Sequence, residues 1–190
     1  MNRKIVIFSA PSGAGKTTIV KKLLESYPEL TFSISATTRT KRTGEVDEKD
    51  YYFLDEATFR QNIQEGGFVE YEEVYDGVFY GTLKSEIERI WQNHQVVVMD
   101  VDVKGGLSIK KAYQEQALGI FVKPPDVATL ERRLRSRNTD SEESIRKRIA
   151  KAEYELTFEK DFEKVILNDS LEHAVEQAKE ILNEFLVIKA

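Results

Sequence analysis

The chain has 190 residues, 41% hydrophobic and 32% charged, a composition and length that suit one soluble α/β domain with a buried core and room for small inserted subdomains. It has 28 Lys and Arg against 33 Asp and Glu, and the net charge of −5 argues against a general nucleic-acid surface. Cysteine is absent, which excludes a disulfide framework, a thiol nucleophile and a cysteine-based metal site, and two histidines, His94 and His173, are too few for a multi-histidine zinc site.

No apolar run approaches the ~20 residues of a membrane span. Arg3 and Lys4 lead into only four apolar residues, which is not a signal peptide, so a cytoplasmic chain is expected.

The first element is Ile5-Val6-Ile7-Phe8, whose unbroken apolar pattern predicts a strand over 4–9 buried on both faces. A helix over about 16–26 carries Ile19, Val20, Leu23 and Leu24 and ends before Pro28. Between them lies Ser9-Ala10-Pro11-Ser12-Gly13-Ala14-Gly15-Lys16-Thr17-Thr18. Strand, glycine-containing loop and helix, in that order, are the context of a phosphate-binding loop. Backbone N–H groups can surround an anion there, and the helix start adds partial positive charge. Lys16 is expected to reach the β- and γ-phosphates of a nucleoside triphosphate, and the Thr17 hydroxyl to sit on Mg²⁺. The pattern G-x-x-x-x-G-K-[ST] begins with Gly, whereas this chain has Ala10, which is acceptable only at negative φ.

Leu30 to Ser35 alternates and reads as a short strand; 36–49 is a polar loop holding Arg39, Lys41, Arg42 and Gly44. Tyr51 to Leu54 reads as a strand, and Asp55 as the N-cap of a helix through Phe59 and Ile63, stopped by Gly66-Gly67. Residues 68–75 and 78–80 flank Asp76-Gly77, a hairpin signal. Helical spacing follows from Leu83 to Trp91, then a buried strand from Val96 that ends in the carboxylates Asp100 and Asp102. Gly105-Gly106 is read as opening a helix to about 114, and Leu118 to Val122 as a core strand. Pro124-Pro125-Asp126 caps a helix with Leu130 and Leu134. Asp140 with Glu143, and Asp169 with Glu172, look like capping boxes for a long charged helix to about 159 and for the last helix, with the strand Val165-Ile166-Leu167 between.

Five strands alternating with helices predict an α/β fold with a five-stranded parallel sheet covered by helices on both faces. Ligands of such sheets bind outside the carboxyl ends of the strands, where both the 10–17 loop and Asp100 and Asp102 fall. Residues 35–82, with their short local strands and single helix, read as an insertion. Arg39 and Arg42, three apart among hydroxyls, offer a forked anion site, although a solvated basic loop fits the same residues.

Several stretches together resemble the guanylate kinases: the 9–17 loop, Ser35-Ala36-Thr37-Thr38-Arg39 with Arg42 and Gly44-Glu45, Asp50-Tyr51-Tyr52-Phe53, Phe68-Val69-Glu70, Tyr80-Gly81-Thr82, Asp100-Val101-Asp102, the arginines of 133–148, and Ile166-Leu167-Asn168-Asp169. They run in order through essentially the whole chain. The resemblance implies a P-loop nucleoside monophosphate kinase of purine nucleotide metabolism, which transfers the γ-phosphate of ATP to GMP or dGMP. It implies a P-loop core (1–34, 83–124 and 158–190), a GMP-binding insert at 35–82 and a helical lid at 125–157.

By the same resemblance, Ala10, Pro11, Ser12, Gly13, Ala14, Gly15, Lys16, Thr17, Thr18 and Asn168 bind ATP. Ser35, Arg39, Arg42, Glu45, Tyr51 and Tyr80 belong to the GMP site, largely at its phosphate, and Glu70, Thr82 and Asp102 read guanine. Arg133, Arg137 and Arg148 close over the ATP phosphates and, with Lys16 and Arg39, form the catalytic set; Thr17 and Asp100 serve Mg²⁺. A carboxylate can accept from both N1–H and N2–H₂ of guanine, which adenine cannot donate. No nucleophilic side chain is expected, because phosphoryl transfer depends on positioning and charge neutralisation. The substrates ATP and GMP are the expected partners, with no membrane or nucleic acid, as a monomer or homo-oligomer. Two readings compete: a catalytically inactive module that binds phosphopeptides in the GMP cleft, and a kinase for another small phosphate acceptor.

Overall fold

The computed structural model describes residues 3–136 and 141–186. Its centre is a five-stranded parallel sheet of β1 (Ile5–Ser9), β2 (Leu30–Phe32), β7 (Val96–Asp100), β8 (Ala117–Lys123) and β9 (Lys164–Leu167), in the order β2-β7-β1-β8-β9. Alternate residues of β1 feed two cores. Val6 and Phe8 pack with Ile19 and Leu23 of α1 (Lys16–Ser26) and with Ala174, Ala178 and Leu182 of α7 (Leu171–Leu186). Ile5 and Ile7 pack with Ile87, Ile90 and Trp91 of α3 (Lys84–Gln92) and Ile109 of α4 (Val103–Tyr113). Every residue of β1 is buried, which is why its sequence is apolar without alternation.

The chain from 36 to 83 builds a second sheet. Its strands are β3 (Ala36–Thr37), β4 (Tyr52–Phe53), β5 (Phe68–Tyr75) and β6 (Val78–Leu83), ordered β4-β3-β6-β5, parallel only at β3–β4. Its core is aromatic. Phe59, on α2 (Glu56–Gln64), stacks on Phe68 at 4.3 Å and on Phe79 at 5.3 Å between ring centroids. Rings at this spacing contribute about 0.5–1.5 kcal/mol beyond their buried area. As expected, Asp55 caps α2, accepting from the Thr58 N–H at 2.8 Å. Two helices complete the chain, α5 (Val127–Arg135) and α6 (Glu142–Leu156), joined by Leu130 and Leu134 against Ile149 and Ala152.

Several boundaries differ from the sequence reading. The alternating stretch at 30–35 is not one strand. β2 stops at Phe32, the Ser33 N–H still reaches Val98 O at 2.8 Å, and Ala36 then joins the other sheet. Alternation records which face is buried and carries no sign of a change of sheet. The buried strand at 96 ends at Asp100, and α4 starts at Val103 rather than at the glycines, because Asp102 is its N-cap and accepts from Gly105 N–H at 2.7 Å. Asp140 lies outside the described residues, and Ser141 is the cap of α6, accepting from Ser144 N–H at 3.2 Å. α6 ends at Leu156, and a 3₁₀ turn over 159–161 follows. Ser170, not Asp169, lies at the capping position of α7: its hydroxyl accepts from the His173 N–H at 3.2 Å.

Candidate active site

The loop between β1 and α1 leaves the sheet at a strand carboxyl end. Gly13 and Gly15 both have φ +92°, in the left-handed region that glycine adopts freely. Ala10 is not among the residues with positive φ, so its methyl group is accepted; it is 7% exposed and packs in the core with Ala14. A Cβ on Gly15 would overlap the side-chain amide of Asn168. That amide is buried and donates to Ala14 O at 2.6 Å, while Arg133 Nη2 donates to Asn168 O at 3.0 Å. Asn168 and Arg133 thus brace the loop from behind, and neither is among the residues lining the cavity in front of it.

That first cavity, of about 360 Å³, is lined by Ala10 to Gly13, Gly15 to Thr18, Asp100 to Asp102, Lys151 and Glu155. The Lys16 ammonium pairs with Asp100 Oδ1 and donates to Val101 O at 2.7 Å. The Thr17 hydroxyl donates to Asp100 Oδ2 at 2.8 Å. Both oxygens of Asp100 therefore face the loop. From the far side, Arg148 Nη2 donates to Ser12 Oγ at 2.6 Å, setting α6 on the loop. Arg137 lies outside the described residues.

A second cavity, of about 440 Å³, opens between the two sheets. Ser35, Tyr51, Glu70, Tyr80 and Asp102, all expected from sequence, line it. Thr82 is buried behind Glu70 and donates its hydroxyl to Glu70 Oε1 at 2.7 Å. Burial pushes the Glu70 carboxyl above its ordinary range, and the nearby Asp102 charge adds to this against the Thr82 hydrogen bond.

Arg39 lies beside this cavity. Its guanidinium is held by Glu45 through two bonds of 2.8 Å and donates from Nε to Tyr80 OH at 3.2 Å. It also sits 5.1 Å from the Tyr51 ring centroid. The Arg39 fork holds the Glu45 carboxyl down at about 2, helped by the Arg42 N–H, so the pair is ionised throughout the neutral range. The Arg42 side chain is exposed, and its backbone N–H donates to Glu45 at 2.7 Å.

Sequence reasoning missed Glu72, Lys151 and Glu155. Glu72 lines the second cavity and shares a strand face with Glu70, a signal that strand alternation carried. Burial raises its carboxyl, as do a hydrogen bond to Asp102 and that group's charge, with Lys151 and Lys104 opposing. Glu155 is buried, its Oε2 lacks a hydrogen-bond partner among the described residues, and burial raises its carboxyl too. Also missed was Glu86, which is fully buried and accepts from Ile34 N–H, Tyr52 OH and the Arg89 guanidinium at 2.8–3.1 Å.

Comparison with known proteins agrees with this layout. A protein named guanylate kinase from Bacteroides fragilis is 52% identical over 185 residues, covering 97% of this chain and 91% of the relative. One from Bacteroides thetaiotaomicron is 50% identical, covering 98% and 91%. The crystal structure of guanylate kinase from Anaplasma phagocytophilum superposes with a TM-score of 0.76 at 27% identity, covering 98% of this chain and 87% of that one. The family model described as guanylate kinase matches residues 2–185, and the chain belongs to the guanylate kinase family.

Proposed function

We propose that the chain transfers the γ-phosphate of ATP to GMP, and to dGMP, giving ADP and GDP. The observation that carries this is the junction of the two cavities: Asp100, Val101, Asp102 and Lys151 belong to both linings. One cavity is built around a phosphate-binding loop and the other around carboxylates and an arginine-bearing corner. Two nucleotides seated in them meet at the carboxyl end of β7, which suits direct transfer between bound substrates.

ATP lies along residues 10–18, with its phosphates on the loop N–H groups and Lys16, and the lid arginines Arg133 and Arg148 reach them as the lid closes. Asn168 holds the loop that the nucleotide rests on. GMP enters the second cavity, its phosphate near Ser35, Arg39, Arg42, Tyr51 and Tyr80, and its base against Glu70, Thr82 and Asp102. Residues 35–82 form the GMP-binding unit and 125–157 the lid. Glu45 pre-orients Arg39, because Nη1 and Nη2 of the guanidinium both donate to its carboxylate.

The Thr17 hydroxyl and the Asp100 carboxylate stand 2.8 Å apart and offer hard oxygen donors, a set that fits Mg²⁺, which otherwise keeps waters and takes phosphate oxygens. Mg²⁺, when bound, offsets the negative charge of the β- and γ-phosphates. Thr17 and Asp100 would hold it. In the transfer, an oxygen of the GMP phosphate forms a bond to the γ-phosphorus, the bond from that phosphorus to the β–γ bridging oxygen breaks, and ADP leaves with the electron pair. Lys16, Arg133 and Arg148 spread the charge, and no side chain becomes covalently attached. Closure of lid and insert excludes water, which would otherwise accept the phosphoryl group.

Release of ADP from ATP in a coupled assay tests this, with GMP, dGMP, AMP, CMP and UMP as acceptors. GMP-dependent turnover is expected. Its absence refutes the reading and leaves the inactive binding module, and equal rates with AMP refute the guanine-reading role of Glu70 and Asp102.

A further inference from the structure

The second cavity has an unusual charge balance for a site that receives a phosphate. Glu70, Glu72, Glu73, Asp100 and Asp102 all line it, and among the described residues Lys151 is the only cation in the lining. Arg39 stands at its side, already engaged by Glu45 and Tyr80. Of the four residues common to both cavities, Asp100, Val101 and Asp102 come from the sheet end and the first residues after it. Lys151 comes from the opposite wall, on α6, nearly one turn beyond Arg148. Its ammonium lies 3.7 Å from Glu155 Oε1, and its side chain is 65% exposed, so it can reach either cavity without leaving the helix. Lys104, the neighbouring lysine, lines neither of the two nucleotide cavities.

We infer that Lys151 is a further catalytic residue, whose ammonium contacts the phosphoryl group where it passes from the first cavity to the second. The inference rests on the phosphotransfer proposed above. A phosphoryl group that leaves the first cavity for the second meets a lining that holds Glu70, Glu72, Glu73 and Asp102, where like charges repel. Lys16 serves the donor side and is not in the second lining. Lys151 supplies positive charge to both ends of the transfer. Its part is electrostatic: the bond that forms joins the GMP phosphate oxygen to the γ-phosphorus, the bond that breaks releases ADP, and no proton is transferred to or from the lysine in the step.

The test uses the full chain with Lys151→Met, Lys151→Arg and Lys104→Met, measuring kcat and KM for ATP and GMP together with thermal unfolding. Lys151→Met is expected to lower kcat by about tenfold, less than the loss of a buried oxyanion donor because the side chain is largely exposed. Lys151→Arg keeps the charge and stays within about threefold of wild type. The unfolding temperature is expected to be the same in all of them, which a merely structural role for Lys151 would not produce. Lys104→Met leaves kcat within about twofold; a loss equal to that of Lys151→Met would show a diffuse field effect and overturn the inference. Wild-type turnover with Lys151→Met inside about twofold in kcat overturns it alone. A wild-type chain without GMP-dependent ADP release overturns the phosphotransfer reading and this inference with it.

Discussion

Glu86→Ala is expected to weaken both the fold and the acceptor site. The Glu86 side chain has no solvent exposure and ties three elements together: Ile34 N–H at the exit of the first sheet, Tyr52 OH in the second sheet, and Arg89 one turn along its own helix. Removing it strands the Ile34 N–H and the Tyr52 hydroxyl at about 1–3 kcal/mol each. Arg89 is 47% exposed and rehydrates at small cost. Partial relaxation brings the sum to about 3 kcal/mol, a large part of a typical stability of about 5–15 kcal/mol. For a chain of this size that lowers Tm by about 6–12 °C. Urea unfolding followed by circular dichroism, with calorimetry for Tm, measures it. The backbone around Tyr52 also bonds to Ser35, and Ser35 and Tyr51 line the second cavity, so KM for GMP is expected to rise while KM for ATP holds. Burial works against ionisation of Glu86, yet Arg89, the Ile34 N–H and Tyr52 together bring its carboxyl below the usual range. A depressed carboxyl stabilises above its unfolded pKa of about 4.3 and loses that contribution as pH falls, so the gap between wild type and variant narrows on acidification. A loss under about 1 kcal/mol at neutral pH, or a gap that widens in acid, would refute the hub.

Lys16→Met is expected to cut kcat by about 100-fold or more while GMP binding, read by calorimetry, stays near wild type; a loss confined to GMP affinity would contradict its placement on the donor side. Gly15→Ala meets both a φ of +92° and the Asn168 amide, so it should lower stability by about 1–3 kcal/mol and weaken ATP binding, with unchanged ATP affinity as the contrary result. Thr82→Val removes the hydroxyl that donates to Glu70, and KM for GMP should rise by about tenfold with KM for ATP unaffected; equal changes in both would place Thr82 outside base recognition. Because burial raises the Glu70 carboxyl, and only its ionised form accepts two guanine donors, KM for GMP should climb on acidification at a higher pH than an ordinary carboxylate would give. A pH-independent KM for GMP down to the ordinary carboxylate range would count against that role.

Much of the donor half was legible because it is local in sequence. A buried strand, a loop with Gly13 and Gly15 and a helix opening at Lys16 need no distant partner to be recognised. The five parallel strands were also readable from their apolar runs, although alternation could not reveal that 30–35 crosses between sheets. What stayed hidden depends on tertiary contact. Glu86 looks like an exposed helix charge until Tyr52 and Ile34 are brought to it. Lys151 looks like an i,i+4 partner for Glu155 until α6 is laid over the phosphate loop. Asn168 was readable only through family resemblance, and in the fold its amide meets the loop carbonyl of Ala14.

Ala10 and Ala14 have a consequence that reaches beyond their φ angles. Their methyl groups belong to the same apolar cluster as Phe8 and Ile19, and the Ala14 carbonyl is fixed by Asn168. The loop is therefore ordered by the same hydrophobic burial that folds the domain. Its backbone loses its conformational entropy, about 1–2 kcal/mol per residue, during folding rather than when a triphosphate arrives. A flexible glycine-rich loop would surrender that freedom at each binding event and bind more weakly for it. In this chain, the extra methyl at position 10 anchors a preformed anion cradle to the core.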